Sequence, residues 1–281
     1  MKLAVSNIAW PATDRDAAYT ILKAAGIRGL EIAPGLMFDG AANAFAPTEA
    51  EAASQIAAMR NAGLELVSMQ SLLFNVQGAA LFEGDEALGH FRAGLRNAIA
   101  LAGRFSIPNL VFGSPRQRNI PEGVTFEAAE RLALDVFREL GDAAAKAGTR
   151  LAMESNPAGY GTNFLNTMAQ AEAFVRRVDH PAITLMLDIG SMHMNGDFDQ
   201  IEDVVSGAVD LISHVHVSEP DLAPAPADVA QAARAFSALT RAGYAGWCSI
   251  EMKAPPTDGL ETLSRSVDRL LAAAELARSA P

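Results

Sequence analysis

Glu154, Asp188, His216 and Glu251 are the residues whose types and spacing best fit them to do chemistry together. They lie 34, 28 and 35 residues apart, a nearly even interval. Each sits at the end of a short apolar run: LAME, LMLD, HVH and CSIE. If those runs are strands, side chains alternate between faces with a period of two. Leu151, Met153, Leu185, Leu187, Val215, Val217, Cys248 and Ile250 then share an outer apolar face. Ala152, Glu154, Met186, Asp188, His214, His216, Ser249 and Glu251 share the inner one. Three carboxylates cannot crowd a desolvated patch without a cation, because repulsion would force protons onto some of them. One divalent ion removes that conflict, leaving a net charge of −1 with a neutral imidazole. An oxygen-rich set with one nitrogen suits Mn2+, Mg2+ or Co2+ better than Zn2+. The alternative is four separate polar residues at a wet rim. Their common phase on four successive runs favours a shared centre. His214 lies one layer deeper than His216; it either orients a ligand from behind or is a core histidine bonded to a neighbour.

These residues need a frame that brings strand ends to one point. Eight β-type runs alternate with longer helix-type segments: 2–10, 29–34, 65–74, 109–114, 150–156, 183–190, 211–220 and 246–252. Between them, segments such as 17–26, 54–63 and 126–148 carry helical spacing and end in glycine, a helix stop. Strand–helix alternation implies a parallel sheet, because parallel neighbours need a crossover helix. A doubly wound sheet would carry a G-x-G-x-x-G turn after its first strand; SNIAWPATD follows here instead. The expectation is α/β: a (β/α)8 TIM barrel, one domain over 1–281, with function at the C-terminal strand ends.

Bulk properties narrow the partners. A net charge of −11 and the lack of any Lys/Arg-rich run argue against nucleic acid. Cys248 stands alone, so no internal disulfide or cysteine-rich zinc module is expected. No run approaches the roughly 18 consecutive apolar residues of a membrane helix, and the first residues lack a signal-peptide pattern. A cytoplasmic protein acting on a small molecule is expected.

The runs GLEIAP, AMESNP, LMLDIGSM, HVHVSEP and SIEMK resemble the xylose isomerase-like barrel superfamily of sugar phosphate isomerases and epimerases, over nearly the whole chain. SNIAW and FGSPRQRNIP resemble a subgroup of TIM-barrel isomerase-like proteins within it. In the ketose 3-epimerases of that superfamily a Glu, Asp, His, Glu set binds the metal. The resemblance therefore implies Glu154, Asp188, His216 and Glu251 as ligands, and Glu154 and Glu251 as catalytic acid and base. It also implies a metal-stabilised cis-enediolate, protonated from the opposite face, and association into homo-oligomers. The sugar-contacting positions depart from that pattern. Tyr160 stands where the epimerases carry a second glutamate, Ser191 where they carry a histidine (His193 lies two further on), and Leu222 where they carry an arginine.

Other residues fall near strand ends. Arg116 and Arg118 are candidates to pair with a phosphate or carboxylate, for which arginine's forked geometry is suited. Asn7, Trp10, Gln70, Asn156, Tyr160 and His193 are candidates to contact substrate. Trp10 either stacks on a sugar face or caps the rim. Glu31, three residues before the end of its run, is placed to hydrogen-bond within the barrel. Lys253 either meets an oxyanion or is solvated; Phe74, Tyr160 and Met192 are candidates for an apolar wall.

The function expected is a divalent-metal-dependent isomerase or epimerase of a sugar, sugar phosphate or related polyol derivative. A lyase or dehydratase on a keto-polyol uses the same first step and expels a leaving group instead. A non-catalytic subunit on this fold is a further reading. Apurinic endonucleases of the superfamily need extra histidines on strands three and four, where this chain offers Gln70 and Ser114.

Overall fold

A computed structural model describes residues 1–279. Eight strands, β1 (Lys2–Ser6), β2 (Gly29–Ile32), β3 (Glu65–Met69), β4 (Leu110–Phe112), β5 (Leu151–Glu154), β6 (Ile183–Asp188), β7 (Ile212–Ser218) and β8 (Trp247–Glu251), run parallel in sequence order. β8 pairs with β1, which closes the barrel. Ten helices surround it among the described residues: α1 (Arg15–Ala24), α2 (Pro34–Met37), α3 (Glu49–Asn61), α4 (Asp85–Phe105), α5 (Phe126–Ala147), α6 (Met168–Val178), α7 (Ile189–Asn195), α8 (Ile201–Ala208), α9 (Val229–Arg241) and α10 (Gly259–Ser279). The expected (β/α)8 TIM barrel is the fold observed.

Strand alternation sorts the core into two bodies. The outer residues of β5 to β8, from Leu151 to Ile250, join the large apolar cluster beneath the helices. Inside the barrel, Val111, Ala152 and Met186 form a separate small cluster. Polar groups above that cluster therefore have an apolar floor. No helix of the described residues is long and apolar enough to cross a membrane.

Most strands stop earlier than their apolar runs. β3 ends at Met69, yet Leu72 and Leu73 beyond it are also buried. Hydrophobicity continued into a turn that packs inward, so it did not mark the strand's end. β1 likewise stops at Ser6, and a 3-10 turn covers Asn7–Ala9. The 183–190 run divides after Asp188, where α7 begins.

Helix boundaries follow capping chemistry. α3 starts at Glu49, ahead of the expected 54, because Thr48 and Glu51 form a reciprocal capping box. α5 starts where Thr125 accepts from the Ala128 N–H, and it ends at Gly148, whose φ of +74° suits a residue without Cβ.

Candidate metal centre

Parallel registry carries four side chains to one level at the barrel mouth. Glu154, Asp188 and Glu251 are the last residues of β5, β6 and β8. His216 on β7 pairs in register with Asp188. One donor atom from each of the four lies within 4.8 Å of the others. His216 Nδ1 is 3.1 Å from Glu251 Oε2, 3.4 Å from Glu154 Oε1 and 3.6 Å from Asp188 Oδ2. All four residues are buried, yet this nitrogen has no hydrogen-bond partner. Donor atoms gathered in this way could hold a metal ion. An oxygen-rich set with one nitrogen is a donor set of the kind that suits a divalent cation.

The other imidazole nitrogen is committed. His216 Nε2 donates to Glu31 Oε2 at 2.9 Å. Burial alone would raise the Glu31 carboxyl, but the adjoining His216 and His214 overcome this and bring it down to about 2. Glu31 is therefore an ionised acceptor, which keeps a proton on Nε2 and turns Nδ1 toward the three carboxylates.

The remaining charges follow from the crowding of three carboxylates around one buried imidazole. Burial raises Glu251 to about 7, and Glu154 and Asp188 add to the rise against His216. Burial would lower the His216 imidazole, but Glu251 and Glu31, with Asp188 and Glu154, drive it well above its usual range. Burial also works against Asp188, which is nonetheless lowered by His216 and by hydrogen bonds from the Ser191 N–H and Ser218.

Asp188 serves two ends at once. Its Oδ1 accepts from the Ser191 N–H at 2.6 Å, capping α7, and from Ser218 Oγ at 2.9 Å. Oδ2 remains directed at the centre. Ser218 also accepts from the Gly190 N–H at 2.9 Å, tying β7 to the start of α7. Sequence reasoning missed Ser218, although it continues the inner-face series of His214 and His216.

The sequence matches the model of the xylose isomerase-like TIM barrel family over residues 19–275. The chain belongs to that family. Solved barrels of the same fold include 3-keto-D-glucoside 4-epimerase, YcjR, from E. coli in its apo form. It is 18% identical, with a TM-score of 0.77, covering 96% of this chain and 99% of that one. An L-ribulose 3-epimerase is 19% identical with a TM-score of 0.79, covering 99% and 96%. D-psicose 3-epimerase from Clostridium cellulolyticum H10, with D-tagatose, is 17% identical with a TM-score of 0.74, covering 99% and 98%. No curated protein matches the sequence.

In this xylose isomerase-like barrel two hollows flank the centre, and both are lined by Glu154 and Glu251. One of about 440 Å³ also holds Arg116, Asn156, Tyr160, Ser218 and Lys253. The other, of about 280 Å³ on the β3–β4 side, holds Gln70, Phe74, Ser114 and Gln117. Gln70 donates to Ser6 Oγ at 2.8 Å, and Tyr160 Oη accepts from the Asp221 N–H at 3.2 Å.

Several sequence candidates are placed elsewhere. Both ends of the Asn7 amide are taken by the Ala33 backbone, at 2.7 and 3.3 Å. Trp10 is 2% exposed and packs edge-on to Tyr19. Both follow Ser6, where the 3-10 turn ends the strand alternation that pointed them inward. Arg118 is fully buried behind Glu154 rather than free at the mouth. His193 rides on α7, which carries it away to stack on Phe198 at 4.2 Å. Met192 is buried in the core, while Phe74 is 60% exposed.

His214 is one step removed from the centre. Its Nε2 pairs with Ser249 Oγ at 2.8 Å and lies 3.6 Å from Glu31 Oε1. Burial and the neighbouring His216 push its imidazole down to about 4, against Glu31, so it is neutral. It supports Glu31, which in turn holds His216.

Proposed function

We propose that this protein is a divalent-metal-dependent isomerase or epimerase of a sugar, sugar phosphate or related polyol derivative. Glu154, Asp188, His216 and Glu251 hold the ion, with Mn2+, Mg2+ or Co2+ the candidates. The observation that carries the reading is the unpaired His216 Nδ1, buried 3.1 to 3.6 Å from three carboxylates.

When bound, the ion polarises a substrate carbonyl and so acidifies the adjacent C–H. The chain supplies the rest. Glu154 and Glu251 come from strands on different sides of the centre, and both line the two hollows. One carboxylate takes the proton from carbon, and the other returns a proton from the opposite face. Without an ion, burial and its acidic neighbours raise the Glu251 carboxyl to about 7. Gln70, Arg116, Asn156, Tyr160 and Lys253 border the space on either side and orient the substrate's oxygens.

The test is exchange of solvent deuterium into a panel of ketoses, sugar acids and sugar phosphates. The Mn2+-loaded wild type exchanges at least one of them, and Glu251→Gln and chelator-stripped protein do not. Product analysis separates stereochemical exchange from loss of water, which would indicate the lyase. Exchange undiminished in Glu251→Gln would contradict the assignment.

A further inference from the structure

Arg118 ends the 3-10 turn Pro115–Arg118 that follows β4, and its side chain is fully buried. Its Nη2 donates to the Glu154 carbonyl at 2.8 Å and to Asn156 Oδ1 at 3.0 Å, with a longer 3.4 Å bond to the Leu165 carbonyl. Nε and Nη1 have no partners, and the group lies over the Phe112 ring. A buried cation with unpaired donors is costly, and an apolar side chain of similar size would pack at least as well. Packing alone does not account for an arginine here.

Its partner is the informative one. Asn156 Nδ2 donates to Glu154 Oε2 at 3.0 Å. The Asn156 main chain is fixed on both sides, by the Leu165 carbonyl and by Asn166 Nδ2. What remains is which way its amide points. A guanidinium has donors only, so Arg118 forces the oxygen end of Asn156 toward itself and the NH2 end toward Glu154. Turned over, the amide would meet Arg118 donor to donor and set its oxygen against a carboxylate oxygen.

Glu154 is held accordingly. Its Oε2 is fastened by Asn156 and rests over Gly113, where a Cβ would lie only 2.1 Å away. Oε1 is left facing His216 Nδ1. Among the described residues Glu251 has no such anchor; its short contact is with His216 alone.

We propose that Arg118 is a positioning residue: it sets the orientation of the Asn156 amide and through it aims Glu154 Oε1 at the point shared with Asp188, His216 and Glu251. The proposal rests on the metal-centre reading above. Arg118→Met keeps a long unbranched side chain but removes every donor, Asn156→Ala removes the go-between, and Asn156→Asp places an oxygen against Glu154 without touching Arg118.

In calorimetric titration of chelator-stripped protein with Mn2+, the first two variants each lose about tenfold in affinity. The double variant loses no more than Asn156→Ala, because the two residues act in series. Asn156→Asp loses more than Asn156→Ala. Multiplying losses, wild-type affinity in Arg118→Met, or wild-type affinity in Asn156→Asp would overturn the proposal. The Asn156 side-chain NH2 resonances in metal-free protein provide an arm that needs no metal. They are shifted and lose hydrogen-exchange protection in Arg118→Met; unchanged resonances would overturn the proposal. A wild type that binds no Mn2+ but shows this NMR response would remove the metal-centre reading while leaving Arg118 as the group that orients Asn156.

Discussion

His216 and Glu31 are joined through the barrel interior, Nε2 to Oε2 at 2.9 Å, from β7 and β2, which are not neighbours in the sheet. That bond decides which imidazole nitrogen faces the three carboxylates. Glu31→Gln keeps the shape but removes the charge that holds the proton on Nε2. It is expected to weaken Mn2+ binding by about 10- to 100-fold, the usual cost of losing such a supporting group. Calorimetry on chelator-stripped protein measures it; unaltered affinity would show that Glu31 does not set the tautomer.

The metal-free centre should hold protons that an ion displaces. Glu251 is raised to about 7 by burial and by Glu154 and Asp188, and His216 is raised above its usual range despite burial. Their folded forms keep protons that the unfolded chain has begun to release. Both contributions to metal-free stability therefore fade as pH rises: that of Glu251 from the ordinary carboxylate range up to about 7, that of His216 above the ordinary imidazole range. Glu31 has the opposite sign and contributes above the ordinary carboxylate range, falling away only as pH drops toward about 2. Binding an ion expels protons, so its affinity rises with pH. The increase in Tm on adding Mn2+ is expected to be larger at pH 8 than at pH 6. An increase independent of pH would contradict this charge arrangement.

Gly113 provides the notch for Glu154. A Cβ there would stand 2.1 Å from Glu154 Oε2 and 3.3 Å from Asn156 Oδ1. Gly113→Ala is expected to displace the carboxylate and weaken Mn2+ binding by about tenfold or more, as losses beside a metal ligand do. Circular dichroism should show the fold retained. A wild-type Kd would mean that Glu154 has room to move without leaving the centre.

Ser218 binds Asp188 and the Gly190 N–H together. Ser218→Ala leaves a buried N–H unpaired at the start of α7. The expected loss is about 1–3 kcal/mol of stability, the usual cost of an orphaned buried donor, read by urea denaturation of metal-free protein. A change within error would mean that water replaces the hydroxyl.

The sequence displayed the barrel well because its two periodicities are strong. Leu151, Met153, Leu185 and Leu187 face the helices as their alternation requires, and the same alternation converges Glu154, Asp188, His216 and Glu251. The reading failed where alternation stops. Asn7 and Trp10 lie past the end of β1, in a turn whose side-chain directions a period of two does not describe. The burial of Arg118 has no local signal, because buried arginines are uncommon and its partners, Glu154, Asn156 and Leu165, are 36 to 47 residues away. The bond between Glu31 and His216 spans 185 residues. The sequence offered Glu31 as a group bonded within the barrel but carried no sign of the partner.

The central claim is that four side chains from β5 to β8 cage one dication. Titration of chelator-stripped protein with Mn2+, followed by calorimetry in wild type and His216→Ala, tests it most directly. The account predicts one saturable site per chain in the wild type and its loss in the variant, with the fold preserved. Equal binding by both proteins, or no saturable binding by the wild type, would contradict it.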